Sequence, residues 1–327
     1  MDGYINDIKN VISENGSSYT EIPIESIKKV HDLFFNNIIY NPLNDIEISY
    51  LGGYYQNIEK NYDMMKKYYL MAIGKGNSNA MIDLGWFYQN IEKNYDLMKK
   101  YYRMAIDKGD STAMTYLGGY YKHIEKNYDQ TKKYYLMAID KGDSDAMYHL
   151  GLHYGNAENN YNLMKKYYLM AIDKGHLDAM TGLGWHYQYR ENNYDMMKKY
   201  YLMAIIKGNS DAMSDLGWYY QYTEKNYDLM KRYYLMAIDK GNSDAMNDLG
   251  RYYRYIEKNY DLMKRYYLMA INKGHLLSMF NIVQYYKENN LWIEKIIDFY
   301  QHNIEITEQY IIYSEKLCHL IMDDYKL

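Results

Sequence analysis

Apolar and polar positions follow one another along this chain in two nested periods. Within short stretches the apolar residues return every three or four positions, the spacing of one face of an α-helix. The whole arrangement then returns after 33 residues, the mark of a repeat architecture. Ala-Met stands at 80–81, 113–114, 146–147, 179–180, 212–213 and 245–246. Leu-Gly stands at 51–52, 84–85, 117–118, 150–151, 183–184, 216–217 and 249–250. A glycine closes each repeat at 76, 109, 142, 175, 208, 241 and 274.

Each repeat predicts two helices, A and B. In the repeat from Asn242, either Asn242 or Ser243 caps helix A, and Ala245, Leu249 and Tyr253 recur along one helical face. The polar stretch Ile-Glu-Lys-Asn then makes a turn. Asn259 caps helix B, with Asp261 near its positive end. Tyr260, Met263, Tyr267, Ala270 and Ile271 form the buried stripe of helix B, and Gly274 supplies a left-handed stop after Lys273. One such hairpin cannot bury both of its stripes. Stacked neighbours can, so the pattern predicts an all-α solenoid.

Seven repeats span 44–274. A degenerate eighth is expected over 275–307, where Met279, Ile282, Tyr286, Phe299 and Tyr300 keep the register. Residues 1–43 do not match the repeat and predict capping helices, and 308–327 predict a last capping helix, since solenoids need atypical ends to shield their outer faces.

Four tyrosine columns hold in all seven repeats, those ending at Tyr253, Tyr260, Tyr266 and Tyr267. At helical spacing they are packing residues whose hydroxyls reach the polar turns or solvent. A nucleophilic tyrosine is expected once, beside a base. The methionine columns ending at Met246, Met263 and Met269 are pliable filler.

The pattern Ala212, Leu216, Gly217, Tyr220, Tyr227, Lys231, Tyr233, Tyr234, Ala237 and Gly241 resembles the Sel1-like repeat, a relative of the tetratricopeptide repeat. The resemblance covers the seven repeats. Two departures stand out: Ile-Glu-Lys-Asn or Ala-Glu-Asn-Asn replaces the usual Gly-rich turn, and Met or Thr131 replaces the usual small residue early in helix B. The Tyr-, Asn- and Met-rich dialect resembles Sel1-like proteins of giant DNA viruses that infect amoebae. The resemblance implies a right-handed α-α superhelix that acts as an adaptor or scaffold, with no catalytic residues.

Composition narrows the classes further. Net charge is −4 with a pI near 6.2, which gives no global pull toward nucleic acid or acidic lipid. Cys318 is the single cysteine, so no disulfide framework and no disulfide-linked partner is expected. Asp2 and Asp7 stand where a secretion signal would be positive, and no run of apolar residues is long enough to span a bilayer. The expectation is an intracellular, cytoplasmic protein, in a host cell if viral, that engages no membrane.

Three sets of residues carry candidate chemistry. His149, His153 and His186 lie at spacings that could bring three imidazoles to a metal. No carboxylate or thiolate completes the set, and the His153 column is otherwise Tyr or Phe, so aromatic substitution accounts for it. No cofactor is expected. Lys or Arg pairs at 66–67, 99–100, 132–133, 165–166, 198–199, 231–232 and 264–265 form a ladder that could track a phosphate backbone. Each repeat carries about as many acids, so a solvated convex face is favoured over nucleic acid as partner.

The third set varies where its repeats otherwise do not. At ~100° per residue the column ending in Arg251 points almost opposite the core stripe of helix A. It reads Gly53, Trp86, Gly119, Leu152, Trp185, Trp218, Arg251. The adjacent column, Gln56, Gln89, Lys122, Gly155, Gln188, Gln221, Arg254, is expected to point outward as well. Exposed Trp and Arg are enriched at interface hot spots. The expectation is therefore a non-enzymatic chain that binds a protein or peptide on a concave helix-A face through Trp86, Trp185, Trp218, Arg251 and Arg254.

Overall fold

The computed structural model describes residues 44–289. The expected caps at 1–43 and 308–327 and helix B of the eighth repeat, with Phe299 and Tyr300, lie outside these residues. Among the described residues there are fifteen α-helices and no strand. The chain divides into two compact bodies at His176/Leu177, the junction of the fourth and fifth repeats.

In the first body the pairs are α1 (Asp45–Asn57) with α2 (Tyr62–Gly74), α3 (Ser78–Asn90) with α4 (Tyr95–Asp107), α5 (Ser111–Tyr120) with α6 (Tyr128–Asp140), and α7 (Ser144–Asn156) with α8 (Tyr161–Asp173). In the second they are α9 (Leu177–Tyr189) with α10 (Tyr194–Ile206), α11 (Ser210–Tyr219) with α12 (Tyr227–Asp239), and α13 (Ser243–Tyr255) with α14 (Tyr260–Asn272). A further helix, α15 (Leu276–Glu288), follows as the helix A of the eighth repeat and buries Met279, Ile282 and Tyr286. Within each body every helix A packs on its own helix B, and every helix B packs on the next helix A. Each body is thus an α-solenoid.

The local signals work as chemistry requires. Asn242, not Ser243, caps α13: its Oδ1 accepts from Ala245 N at 2.8 Å. Every helix B is capped by asparagine, as where Asn259 Oδ1 accepts from Leu262 N at 3.1 Å. At the C-termini Gly76 takes φ +91° while its N–H and that of Asn77 reach Ile73 O and Ala72 O, a Schellman close. The turn from A to B places a lysine or asparagine in the left-handed region, including Lys225 at φ 54° and Asn192 at φ 51°. Asparagine tolerates that region better than lysine. Lys225→Asn should therefore raise the urea midpoint, by about 0.5 kcal/mol in stability. A lower midpoint would show that the lysine does something else there.

Tyrosine supplies the packing between helices. In all seven repeats the ring ending helix A lies parallel on a ring of helix B, as for Tyr187 on Tyr200 (5.7 Å, 3°) and Tyr253 on Tyr266 (5.6 Å, 3°). The Tyr260 column reaches the next repeat, as where Tyr227 leans on Tyr252 at 5.3 Å. The Tyr267 column lies against the helix-A glycine of its own repeat: a Cβ on Gly184 would stand 2.6 Å from Tyr201 Cδ1. No larger residue fits that approach.

Polar contacts then stitch one repeat to the next. Lys99 pairs with Glu125 at 2.5 Å and Lys198 with Glu224 at 2.5 Å, and Lys66–Glu92 and Lys231–Glu257 do the same. Capping residues reach back to the preceding helix A: Asn242 Nδ2 donates to Asp211 Oδ1 at 2.9 Å, and His275 lies 3.1 Å from Asp244.

Candidate interaction surface on the A helices

The residues opposite the core stripe of helix A build different surfaces in the two bodies. In the first body Trp86 is 40% exposed, and the residue one turn on is Asn90, whose Nδ2 donates to Trp86 O. In the second body the residue one turn on is a tyrosine each time: Tyr189, Tyr222 and Tyr255. Residues four apart share a helix face, so tryptophan and tyrosine alternate into a ladder. Trp185 lies 5.1 Å from Tyr189, Tyr189 lies 5.8 Å from Trp218, and Trp218 lies 5.0 Å from Tyr222. Trp185 is 48% and Tyr222 42% exposed, while Trp218 is half-buried. Arg251 continues the column, exposed and 3.5 Å from Asp248.

Arg254 departs from expectation. Its column does not point outward: Arg254 is only 5% exposed, and Gln188 and Gln221 are buried too. The reason is the Tyr267 column beneath it. The hydroxyls of Tyr69, Tyr102, Tyr201 and Tyr234 end in the apolar interior and need acceptors. They donate to Gln56, Gln89, Gln188 and Gln221 at 2.9–3.2 Å. Arg254 is spent internally, on Glu288 at 2.7 Å and the Asn281 carbonyl at 2.9 Å. A side chain so engaged is a structural clamp on α15.

Two half-buried acids lie beside the ladder. Burial, then the neighbouring Asp211 carboxylate, pushes Asp215 up to about 7, against the Tyr201 hydroxyl, which favours its charged form. Asp248 is also raised by burial, and the Arg251 guanidinium works in the opposite direction. For Asp215 the folded value lies above its ordinary 3.8. Its contribution to stability is therefore fully present below about pH 4 and is lost as pH rises through about 7. Asp215→Asn removes that loss. The variant should gain more stability at pH 8 than at pH 5, by on the order of 1–2 kcal/mol after allowing for partial exposure. Equal gains in urea midpoint at the two pH values would refute the burial of this charge.

The histidines do not assemble a metal centre. No group of three or more His, Cys, Asp or Glu among the described residues could hold a metal ion. His153 and His186 take the place of Tyr252 in their repeats and approach the same turn glutamate, Glu158 at 3.3 Å and Glu191 at 3.0 Å. The tyrosines at that position do likewise, Tyr252 donating to Glu257 at 2.9 Å. His149 stacks on Tyr135 at 5.9 Å. Burial holds the His149 and His153 imidazoles below the ordinary histidine range.

The basic ladder is largely engaged. The first lysine of the pair is bound by the glutamate of the next turn in five repeats, and it lies over a ring of the same helix A, as Lys198 does over Tyr219 at 5.1 Å. The second lysine covers its own neighbour, as Lys199 does Tyr200 at 5.3 Å. Sequence reasoning missed a different B-helix feature: exposed Leu136, Leu169, Leu202 and Leu235 form a column there. Their fixed 33-residue spacing was the available signal.

No helix among the described residues is long and apolar enough to cross a membrane. No family model and no curated protein matches the chain. Solved structures do. A Sel1 repeat protein from Oxalobacter formigenes aligns with a TM-score of 0.55 at 22% identity, covering 68% of this chain and 98% of its own. The protective antigen c5321 of uropathogenic Escherichia coli, which displays an SLR fold, gives 0.51 at 19% identity over 87% of this chain and 65% of its own, so the chain spans about two thirds of that relative. Human IFIT1, solved as a dimer with PPP-AAAA, gives 0.51 at 14% identity over 82% of this chain and 69% of its own. At these identities the likeness is one of fold: the chain has the α-solenoid architecture of Sel1 repeat proteins.

Proposed function

We propose that the chain is a non-enzymatic scaffold or adaptor that binds a protein or peptide partner on its A helices, centred on Trp185 and Trp218. The observation that carries this reading is the exposed aromatic ladder, which among the described residues stands in the second body alone. Large exposed aromatics joined into one patch are what interface centres use, and the fold does not need them there. Helix A of the sixth repeat also touches helix A of the seventh, so this side of the body is the more closely spaced one and suits a concave docking face. Arg251 borders the patch, and Trp86 offers a separate, smaller contact on the first body. On this reading residues 1–43 and 308–327 are caps. The chain works inside a cell, an infected amoeba if its composition reflects a giant-virus origin.

The test places a photo-crosslinking amino acid at Tyr222 on the A face or at Leu202 on the B face, in the native cell. Crosslinked protein at Tyr222 and none at Leu202 supports the reading. The reverse moves the binding face to the leucine column.

A further inference from the structure

The seventh repeat shows what the sixth lacks. In the seventh, Asp248 is accompanied by Arg251 at 3.5 Å, and the guanidinium charge reaches the Tyr222 hydroxyl of the preceding repeat. The equivalent residues one repeat earlier are Asp215 and Trp218. Asp215 has the same surroundings, with Tyr189 in the place of Tyr222. No cation lies within ion-pair distance of it among the described residues. The sixth and seventh repeats thus hold one acid-and-aromatic niche occupied by the chain's own arginine and one with an aromatic wall and no cation.

Acidic groups predominate around the empty copy. Helices α9, α11 and α13 carry five aspartates and two arginines, and Arg254 is consumed by Glu288. The groups that face Asp215 are Asp211 on its own helix, Asp244 on the next helix A, the Tyr234 hydroxyl of α12, and the Tyr201 and Tyr189 hydroxyls of the preceding repeat. None is positive. A cation over an indole or phenol face gains from the ring quadrupole, and a partly buried carboxylate beside it adds a charge-assisted hydrogen bond.

Building on the scaffold reading above, we propose that the Trp185–Tyr189–Trp218–Tyr222 ladder docks an extended basic peptide that sets an arginine or lysine side chain on Asp215, as Arg251 is set on Asp248. Acidic peptides and nucleic acid are repelled from the same place. Burial and like charge push Asp215 up to about 7, so the niche carries its full negative charge only above neutral pH. The peptide binds more tightly at pH 8 than at pH 6.

The experiment uses the full chain and fluorescein-labelled Gly/Ser peptides of about 12 residues, long enough when extended to cross helices spaced ~10 Å apart. Every third residue is arginine, glutamine or glutamate. Fluorescence anisotropy at physiological salt gives Kd for wild type, Asp215→Asn, Trp218→Ala and, as control, Asp239→Asn at the exposed end of α12. The arginine peptide is expected to bind about tenfold or more tighter than the glutamate peptide. Asp215→Asn and Trp218→Ala should each weaken it about fivefold or more, and Asp215→Asn should also erase the difference between pH 6 and pH 8. Asp239→Asn should leave Kd within about twofold. Equal binding of the three peptides, no binding of the arginine peptide, or an Asp215→Asn variant that binds like wild type overturns the proposal. Loss with Trp218→Ala alone also removes the cation niche while leaving the ladder as a binding face, and crosslinking at Tyr222 judges that face independently.

Discussion

Gly184→Leu is expected to unfold the second body at a temperature far below wild type, whereas Lys199→Ala leaves the melting temperature nearly unchanged. The glycine faces the flat side of Tyr201, and even a single added carbon would stand 2.6 Å from both Cδ1 and Cε1. Tyr201 cannot retreat, because it is fully buried and its hydroxyl is fixed on Gln188 at 2.9 Å. Overpacking of a well-filled interior costs ~1–3 kcal/mol, and a leucine in this slot costs more because two elements must part. Ala204→Leu, at another fully buried small residue, should behave similarly. Lys199 gives up only a surface contact over Tyr200, within about 0.5 kcal/mol. Equal melting temperatures for the three variants would mean that the helices do not approach as described.

The double change Trp185→Ala, Trp218→Ala should leave helical circular dichroism intact and lower partner affinity by about a hundredfold or more, as expected when two hot-spot aromatics are lost together. The rings do pack, Trp185 on Tyr189 and Trp218 on Tyr222. Their exposure limits what that packing contributes to folding, so the melting temperature should fall by only a few degrees. A matched control on the opposite side, Leu202→Ser with Leu235→Ser, should keep the partner. Unfolding of the tryptophan variant, or full partner recovery by it, would make these rings packing residues and remove the A face as the site.

Much of the fold was legible because period and polarity coincide. The 33-residue return fixed the helix pairs, and the asparagine and glycine columns fixed their ends. Column arithmetic on a bare helix failed at Arg254, and for a physical reason. Angular position tells which residues face away from a helix's own core stripe, but not where a neighbouring tyrosine hydroxyl will demand an acceptor. Gln188 and Gln221 look like solvent residues in sequence and are buried hydrogen-bond acceptors in the fold. The tryptophans were visible because they are rare. Tyr189 and Tyr222 were overlooked although their column reads Asn57, Asn90, His123 and Asn156 before it turns to tyrosine; what they do appears only where the fold brings them beside Trp218. Asp215 was hidden likewise, as its character comes first from burial between helices and then from Asp211 one turn before it.

The stitches between repeats carry one more implication. Asp45 holds Asn77, Asp211 holds Asn242, Lys99 holds Glu125, and none of these bonds spans more than about one repeat of sequence. Each of these stitches therefore joins a repeat only to its neighbour. Removing residues 209–241 in register would set His176's repeat against Asn242's with every stitching partner still in place, whereas removing a few residues more or fewer would leave glutamates, caps and glycine slots facing the wrong neighbours. Length in this protein is quantised: copy number can change by loss of a whole 33-residue step with these stitches kept, while the docking surface changes by one rung together with that rung's own residues, as Trp218 and Tyr222 would go with 209–241.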